Sequence, residues 1–290
     1  MSLRTVLQLI PATPTRAEYL TLYQALPAAG VEQLDPFLLL HHIGPVSFPP
    51  HNQGLPFGPH PHRGFATVTI VLRGEVLHHD SRGNRQVVGA GGVQWMTAAR
   101  GIIHAENVPR HFQDQGGELE LLQLWINLPA RLKMEQPVYQ GLAAEELPPQ
   151  PVAEGMGQLT TIAGKWQDVA GPARPLVPVR LATLRMQPKA NFSWEVPASH
   201  SALLYVVEGE VLVNGQAGGS RTPVQVASDG DQIVLQAQTA ALLLLGAAEP
   251  LNEPVAQQGP FVMNNATQLM EAMRDYQMGR MGMLLESETR

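Results

Sequence analysis

Val71-Leu72-Arg73-Gly74-Glu75-Val76-Leu77 returns 135 residues further along as Val206-Val207-Glu208-Gly209-Glu210-Val211-Leu212. In each copy an apolar run leads into the glycine and a second run leaves it, so each reads as strand, turn, strand. Both copies sit at the same point of two similarly punctuated halves, which identifies two copies of one β-domain. The period is too long for a solenoid, so it implies a duplicated barrel.

Working outward, the same grammar recurs. Phe65–Leu72 is closed by Arg73-Gly74, and Leu119–Ile126 is closed by Asn127-Leu128-Pro129. In the second half Leu181–Met186, Ala202–Val207, Glu210–Val213, Gln232–Leu235 and Ala240–Leu245 have the same character. Runs of Val, Ile, Thr and aromatic residues of this length, broken by 27 Gly and 25 Pro, predict strands of a sandwich or barrel. The expected fold is therefore all-β, with two barrels. Residues 1–140 form the first, 141–157 with its Leu147-Pro148-Pro149-Gln150-Pro151 a linker or crossover, and 158–260 the second. Residues 261–290 form a helical tail, because Leu269, Met273 and Tyr276 recur at spacings of four and three ahead of Gly279.

Composition excludes several classes of function. A chain of 290 residues holds about two domains, and 44% hydrophobic residues suffice to fill two cores. The net charge is −6 with no run of Lys or Arg, which argues against a dedicated nucleic-acid surface. There is no cysteine, so disulfides and thiolate metal sites are excluded and a reducing cytosol suits the chain. The start lacks the apolar core of a signal peptide, and the longest apolar run, Ala240–Ala248, is too short to cross a bilayer. The expectation is a soluble, cytoplasmic protein without a membrane partner. There is no P-loop, no dinucleotide-binding glycine motif and no G-x-S-x-G elbow.

The chemistry is carried by histidines. In Phe57-Gly58-Pro59-His60-Pro61-His62-Arg63-Gly64-Phe65 two imidazoles stand two residues apart, and in an extended segment such residues share a face. Pro59 and Pro61 favour that extended backbone. About forty residues later, Gly101-Ile102-Ile103-His104-Ala105-Glu106 repeats the spacing with a histidine and a carboxylate. Two such strands meeting inside a barrel supply three nitrogens and one carboxylate oxygen, the donor set of a divalent transition metal. The predicted ligands are His60, His62, His104 and Glu106. His41, His42, His78 and His79 stand as adjacent pairs facing opposite sides, and are expected at the surface or outside the ligand shell. His51, His111 and His200 are isolated among turn residues and are expected to be structural or solvated. Phe57 and Arg63 flank the ligands, and Arg63 is read either as part of an entrance or as a surface ion-pair residue.

These blocks, with Val93–Glu106, Leu34–Leu40, Gly259–Asn264 and Asp275–Gly282, resemble the pirin family of the cupin superfamily over nearly the whole chain. The general cupin pattern G-x5-H-x-H-x(3,4)-E-x6-G is met by Gly54, His60, His62 and Gly74, but its acid is replaced at Ala66 and Thr67. In the family the carboxylate ligand matches the residue two beyond the later histidine, here Glu106. The second cupin motif is kept at Gly101 and His104 and departs at Ala99 and Val108. The resemblance implies a bicupin with metal in the first barrel and a tail helix packed back across it. Sliding the ligand positions along the repeat gives Glu195, Pro197, Leu242 and Leu244, which implies a metal-free second barrel.

Function follows as a set of expectations from the resemblance. The first is a dioxygenase that opens flavonols of the quercetin type with O2, with Glu106 as both ligand and base. The cofactor would be one divalent transition metal, Fe(II) foremost, with Mn, Ni, Cu, Co or Zn as alternatives. The second is a redox-sensitive regulator that binds a transcription factor or a metabolic enzyme, and the third a metal-stabilised protein without catalysis.

Overall fold

The structure is a computed structural model and describes residues 2–17, 20–28, 30–31 and 34–284. Residues 285–290 of the expected tail lie outside this set. The chain folds into two compact units. One comprises residues 1–14, 23–41 and 146–250, and the other residues 15–22, 42–145 and 251–290. Each has the two-layer plan of a cupin, a large antiparallel sheet facing a four-stranded one, so the fold is all-β with two cupin domains.

The strand patterns explain the layers. In the metal-bearing candidate unit, Phe65–Arg73 pairs with Gly117–Asn127 on one side and Val93–Thr97 on the other. In the facing sheet Ile102–Asn107 lies between Phe57–His62 and Glu75–Asp80. The other unit repeats the arrangement: Ser201–Glu208 pairs with Ala241–Ala248 and Thr222–Val226. There Gln232–Ala237 lies between Asn191–Glu195 and Val211–Val213. The repeat read from the sequence sits at equivalent hairpins. Gly74 and Gly209 both turn with positive φ, +77° and +90°, and a Cβ on either would collide with a carbonyl oxygen, that of Glu118 or Ala240.

The registers also give the true counterparts of the candidate ligands. Glu106 pairs with His78, and the repeat sets His78 against Val213, which pairs with Leu235. His104 pairs with His60, as Ile233 pairs with Trp194. The counterparts of His60, His62, His104 and Glu106 are thus Trp194, Val196, Ile233 and Leu235, rather than Glu195, Pro197, Leu242 and Leu244. For His104 and Glu106 the offset shrinks past the turn glycine because the second hairpin, Val211–Gly218, is shorter than its equivalent Glu75–Gly89. All four counterparts are buried in one hydrophobic cluster, so hydrocarbon fills the space that imidazoles and a carboxylate occupy in the first copy.

Within residues 141–157 the chain is more regular than a linker. Pro149–Val152 is a strand that pairs with Gly157–Ala163 and closes the edge of a seven-stranded sheet. The opposite edge is Val6–Leu9, paired with Thr222–Val226. The tail helix spans Ala266–Gln277, and the Asn265 side chain caps it by accepting from the Gln268 amide. Its buried face is Leu269 and Ala272, with Met273 partly buried, while Tyr276 is exposed. A short helix, Arg110–Gln115, has no counterpart among the sequence expectations.

Trp194 is 2% exposed and stacks on Trp166 at 5.6 Å. Trp194→Ala is expected to lower the unfolding free energy by roughly 3–5 kcal/mol through lost burial and a residual cavity. Urea unfolding followed by circular dichroism measures it; a loss under about 1 kcal/mol would contradict the packing described.

Candidate metal centre

The site begins with strand register. His104 lies opposite His60, and His62 lies opposite Ile102, so all three imidazoles leave the same face of one sheet. The pairing slips by one residue between His104 and Glu106, where Phe57 rather than Gly58 opposes Glu106. The extra residue sits on the Phe57–His62 strand, and the Ile102–Asn107 strand keeps its alternation against Glu75–Asp80. Glu106 therefore still shares the face of His104, as the spacing predicted.

The ring centroids of His60, His62 and His104 are 4.4–4.9 Å apart. One nitrogen from each lies within 4.8 Å of the others, so the three form a group able to hold a metal ion. Nδ1 of His60 meets the Gly58 carbonyl at 2.8 Å, and Nδ1 of His62 meets the Pro260 carbonyl at 3.4 Å. A carbonyl only accepts, so in both rings Nδ1 carries the hydrogen and Nε2 keeps its lone pair. His104 is 1% exposed, and neither of its nitrogens has a hydrogen-bond partner among the described residues. An unsatisfied buried polar group costs about 1–3 kcal/mol, which a cation accepting the lone pair would offset. Burial pushes His62 down to about 3, aided by the charge of His60 and opposed by the Pro260 carbonyl. Burial, then His60, His62 and His78, hold His104 well below its ordinary value. Both rings are neutral at physiological pH, the form that binds a metal.

Glu106 is not part of the three-histidine group. Its carboxylate reaches toward the opposite sheet, where Thr69 Oγ1 donates to one oxygen at 2.9 Å and Gln123 Nε2 to the other at 2.8 Å. Those donors come from neighbouring strands, since Gln123 pairs with Thr69. In the next row of the same sheet Trp125 pairs with Thr67, and Trp125 lies 5.3 Å from His62 and 4.4 Å from Phe65.

The structure decides between the places the sequence reading left open. His78 is 1% exposed, so of the surface and a place behind the ligands it takes the second. Alternation puts one member of an adjacent pair inside, and here it is His78. Its Nε2 donates to Asp80 Oδ2 at 2.9 Å, and its ring stacks on Tyr139 at 4.0 Å and 9°. Asp80 also accepts from the Arg82 and Asn84 amides and the Asn84 side chain. Burial alone would raise Asp80, but hydrogen bonds from His78, Asn84 and Arg82 outweigh it and hold it below its ordinary value. Since Asp80 opposes His104 and His78 opposes Glu106, this pair shares the ligand face. The signal was available: His78-His79-Asp80 has the same two-residue spacing as His60/His62 and His104/Glu106. Tyr139 was not singled out; its hydroxyl is buried without a partner among the described residues, and burial, then Glu106 and Asp80, raise its pKa, so it stays protonated. His42 is also interior, 2.9 Å from Glu120. His41 is half-buried, and burial lowers it to about 4. Arg63 is neither at an entrance nor at the surface: it is 4% exposed and bound to Asp275 at 3.0 Å and to the Arg100 carbonyl at 2.6 Å. Phe57 packs half-buried against the hydrophobic core of its unit. His111 is exposed and paired with Glu75, and His51 is exposed in a turn. Among the described residues His200 is half-buried near Arg180.

The depressed histidines set a pH dependence. In the unfolded chain each ring takes a proton near pH 6.5, whereas folded His62 takes one only near 3. Their contribution is complete above about pH 6.5 and is lost as the pH falls toward the folded value, because the unfolded state binds protons first. Urea unfolding of metal-free protein is expected to show stability falling below pH 6.5 by up to about 1.4 kcal/mol per pH unit for each buried ring. His62→Asn should flatten that slope; an unchanged slope would contradict the neutral-ring assignment.

Residues 19–126 match the Pirin family, and residues 181–282 match the Pirin C-terminal cupin domain. A Pseudomonas aeruginosa relative named "Putative quercetin 2,3-dioxygenase PA2418" is 38% identical over 86% of this chain and 87% of its own length. A pirin-like protein of Caulobacter vibrioides is 36% identical over 97% of this chain and 100% of its own. A crystal structure described as quercetin 2,3-dioxygenase from Acinetobacter baumannii is 33% identical, with a TM-score of 0.92, covering 98% of this chain and 100% of that one. With both domains matched and the histidine group on the strands where the family motif falls, the chain belongs to the pirin family.

Proposed function

We propose that this protein is a metal-dependent oxygenase that acts with O2 on a flavonol-like aromatic substrate, in a site held by His60, His62, His104 and Glu106. The observation that carries the reading is His104, a neutral imidazole enclosed with two others and lacking any partner for its nitrogens among the described residues. Such a ring suits a cation that takes its lone pair. Three imidazoles suit Zn, Cu, Fe or Ni, and a carboxylate nearby favours Fe(II), with Mn, Ni, Cu, Co or Zn also accommodated. A redox-capable ion held by these residues would supply charge stabilisation to a substrate oxyanion and a place for O2 beside it.

The remaining work falls to the chain's own groups. Glu106 accepts from Thr69 and Gln123, so both its oxygens are set as acceptors facing the interior. That arrangement suits Glu106 to take the proton of a phenolic hydroxyl, acting as base, and to close the ligand set. Trp125, partly exposed beside His62 and backed by Phe65, offers an aromatic face against which a flat ring system would stack. Tyr139, protonated and without a hydroxyl partner among the described residues, holds a hydrogen-bond donor beside His78. The relatives named as quercetin dioxygenases support flavonols as the first substrates to test.

Protein reconstituted separately with Fe(II), Mn, Ni, Cu and Co is expected to bleach quercetin and consume O2, with chelation abolishing both. Glu106→Gln should keep its metal by elemental analysis while kcat/KM falls by about 10²–10⁴-fold. Protein that holds metal, leaves flavonols intact and takes up no oxygen would overturn the oxygenase reading and leave regulation by partner binding as the function to test.

A further inference from the structure

Both strands that carry the histidines are gripped by the far end of the chain. The Pro260 carbonyl meets Nδ1 of His62 at 3.4 Å and the Arg63 amide at 3.4 Å, and the Val262 amide returns a bond to the Arg63 carbonyl at 3.0 Å. The Arg63 guanidinium, 4% exposed, is held by Asp275 of the tail helix, which also binds Arg280. Gly64 lies so close to Val262 that a Cβ there would overlap the Val262 carbonyl oxygen. Lys133, 1% exposed, donates to the carbonyls of Gly64 and Val262 at 2.7 and 3.0 Å and so ties the two segments together. On the second strand, Ile103 is buried in a cluster with Phe261, Met263, Leu269, Ala272 and Met281. Ser81 Oγ accepts from the Ile103 amide and donates to the Met281 carbonyl at 2.8 Å, directly beside His104 in the chain.

We infer that residues 260–282 are a positioning element of the metal centre, with Asp275 holding Arg63 so that the Pro260 carbonyl fixes the ring of His62, and that metal binding and docking of the tail are thermodynamically coupled. The inference rests on the metal-site reading above. A carbonyl on Nδ1 selects the tautomer that leaves Nε2 as the ligand atom and sets the ring plane. Outer groups of this kind change metal affinity typically by 10–100-fold. Coupling is reciprocal: if a docked tail strengthens metal binding, bound metal strengthens tail docking by the same factor. The tail would thereby carry the state of the site to the exposed face of its helix, where Met270 is 60% exposed.

The test uses Ni(II) and Co(II) as probes and the full chain. Asp275→Asn is expected to weaken Ni(II) binding by about tenfold or more, with Asp275→Glu recovering most of it. The Co(II) absorption bands should shift in Asp275→Asn, a change that loss of global stability alone would not produce. In the unmodified protein, Ni(II) should slow amide exchange across Ala266–Gln277, which requires no variant to fold. Equal Ni(II) affinity in both proteins, or helix exchange indifferent to saturating metal, would overturn the coupling while leaving the site intact. Failure of the unmodified protein to bind either ion would take down the metal-site reading and this inference together.

Discussion

Placing His104 opposite His60 on antiparallel strands is the constraint from which the rest of this molecule follows. Cross-strand neighbours cannot avoid one another, so their rings come within 4.4 Å, and His62 joins them from two residues along. Three imidazolium ions could not coexist at that distance in a dry interior. Burial and the neighbouring rings keep His62 and His104 neutral, and neutrality makes their lone pairs available. The interior around them is then obliged to be polar. Thr69 and Gln123 answer Glu106, and Asp80 answers His78.

The duplicated unit shows the same framework released from that constraint. Its strand pairing and turn glycine are retained, though one hairpin is shorter, yet Trp194, Val196, Ile233 and Leu235 fill the equivalent face. Polar pairs in one copy and close-packed hydrocarbon in the other are two ways of satisfying one barrel interior. The first keeps groups poised for chemistry, and the second maximises burial.

Much of this was legible in the sequence because the signals are local. A strand such as Phe65–Arg73 announces itself by β-branched residues and a closing glycine, and its observed span differs from the reading by one residue. The i, i+2 spacing of His60 and His62, and of His104 and Glu106, survives because the extra residue falls on the other strand at Gly58 and Pro59. What escaped depends on register between distant segments. Leu235 as the counterpart of Glu106 needed the length of an intervening hairpin, and His78 as an interior residue needed the side of the sheet that faces in. Arg63 was misplaced for the same reason: its partner, Asp275, stands 212 residues away, and no periodicity near Arg63 points to it.

Val6 finds its strand partner at Val226, so the Val6–Leu9 strand belongs to a sheet whose other members lie between Pro149 and Ala248 and are synthesised long after it. Emerging from the ribosome at about 5–20 residues per second, that segment waits on the order of ten seconds or more for the strand it must pair with. Through that interval Val6–Leu9 has no native sheet to join, and its backbone pairing groups stay open until Thr222–Val226 emerges.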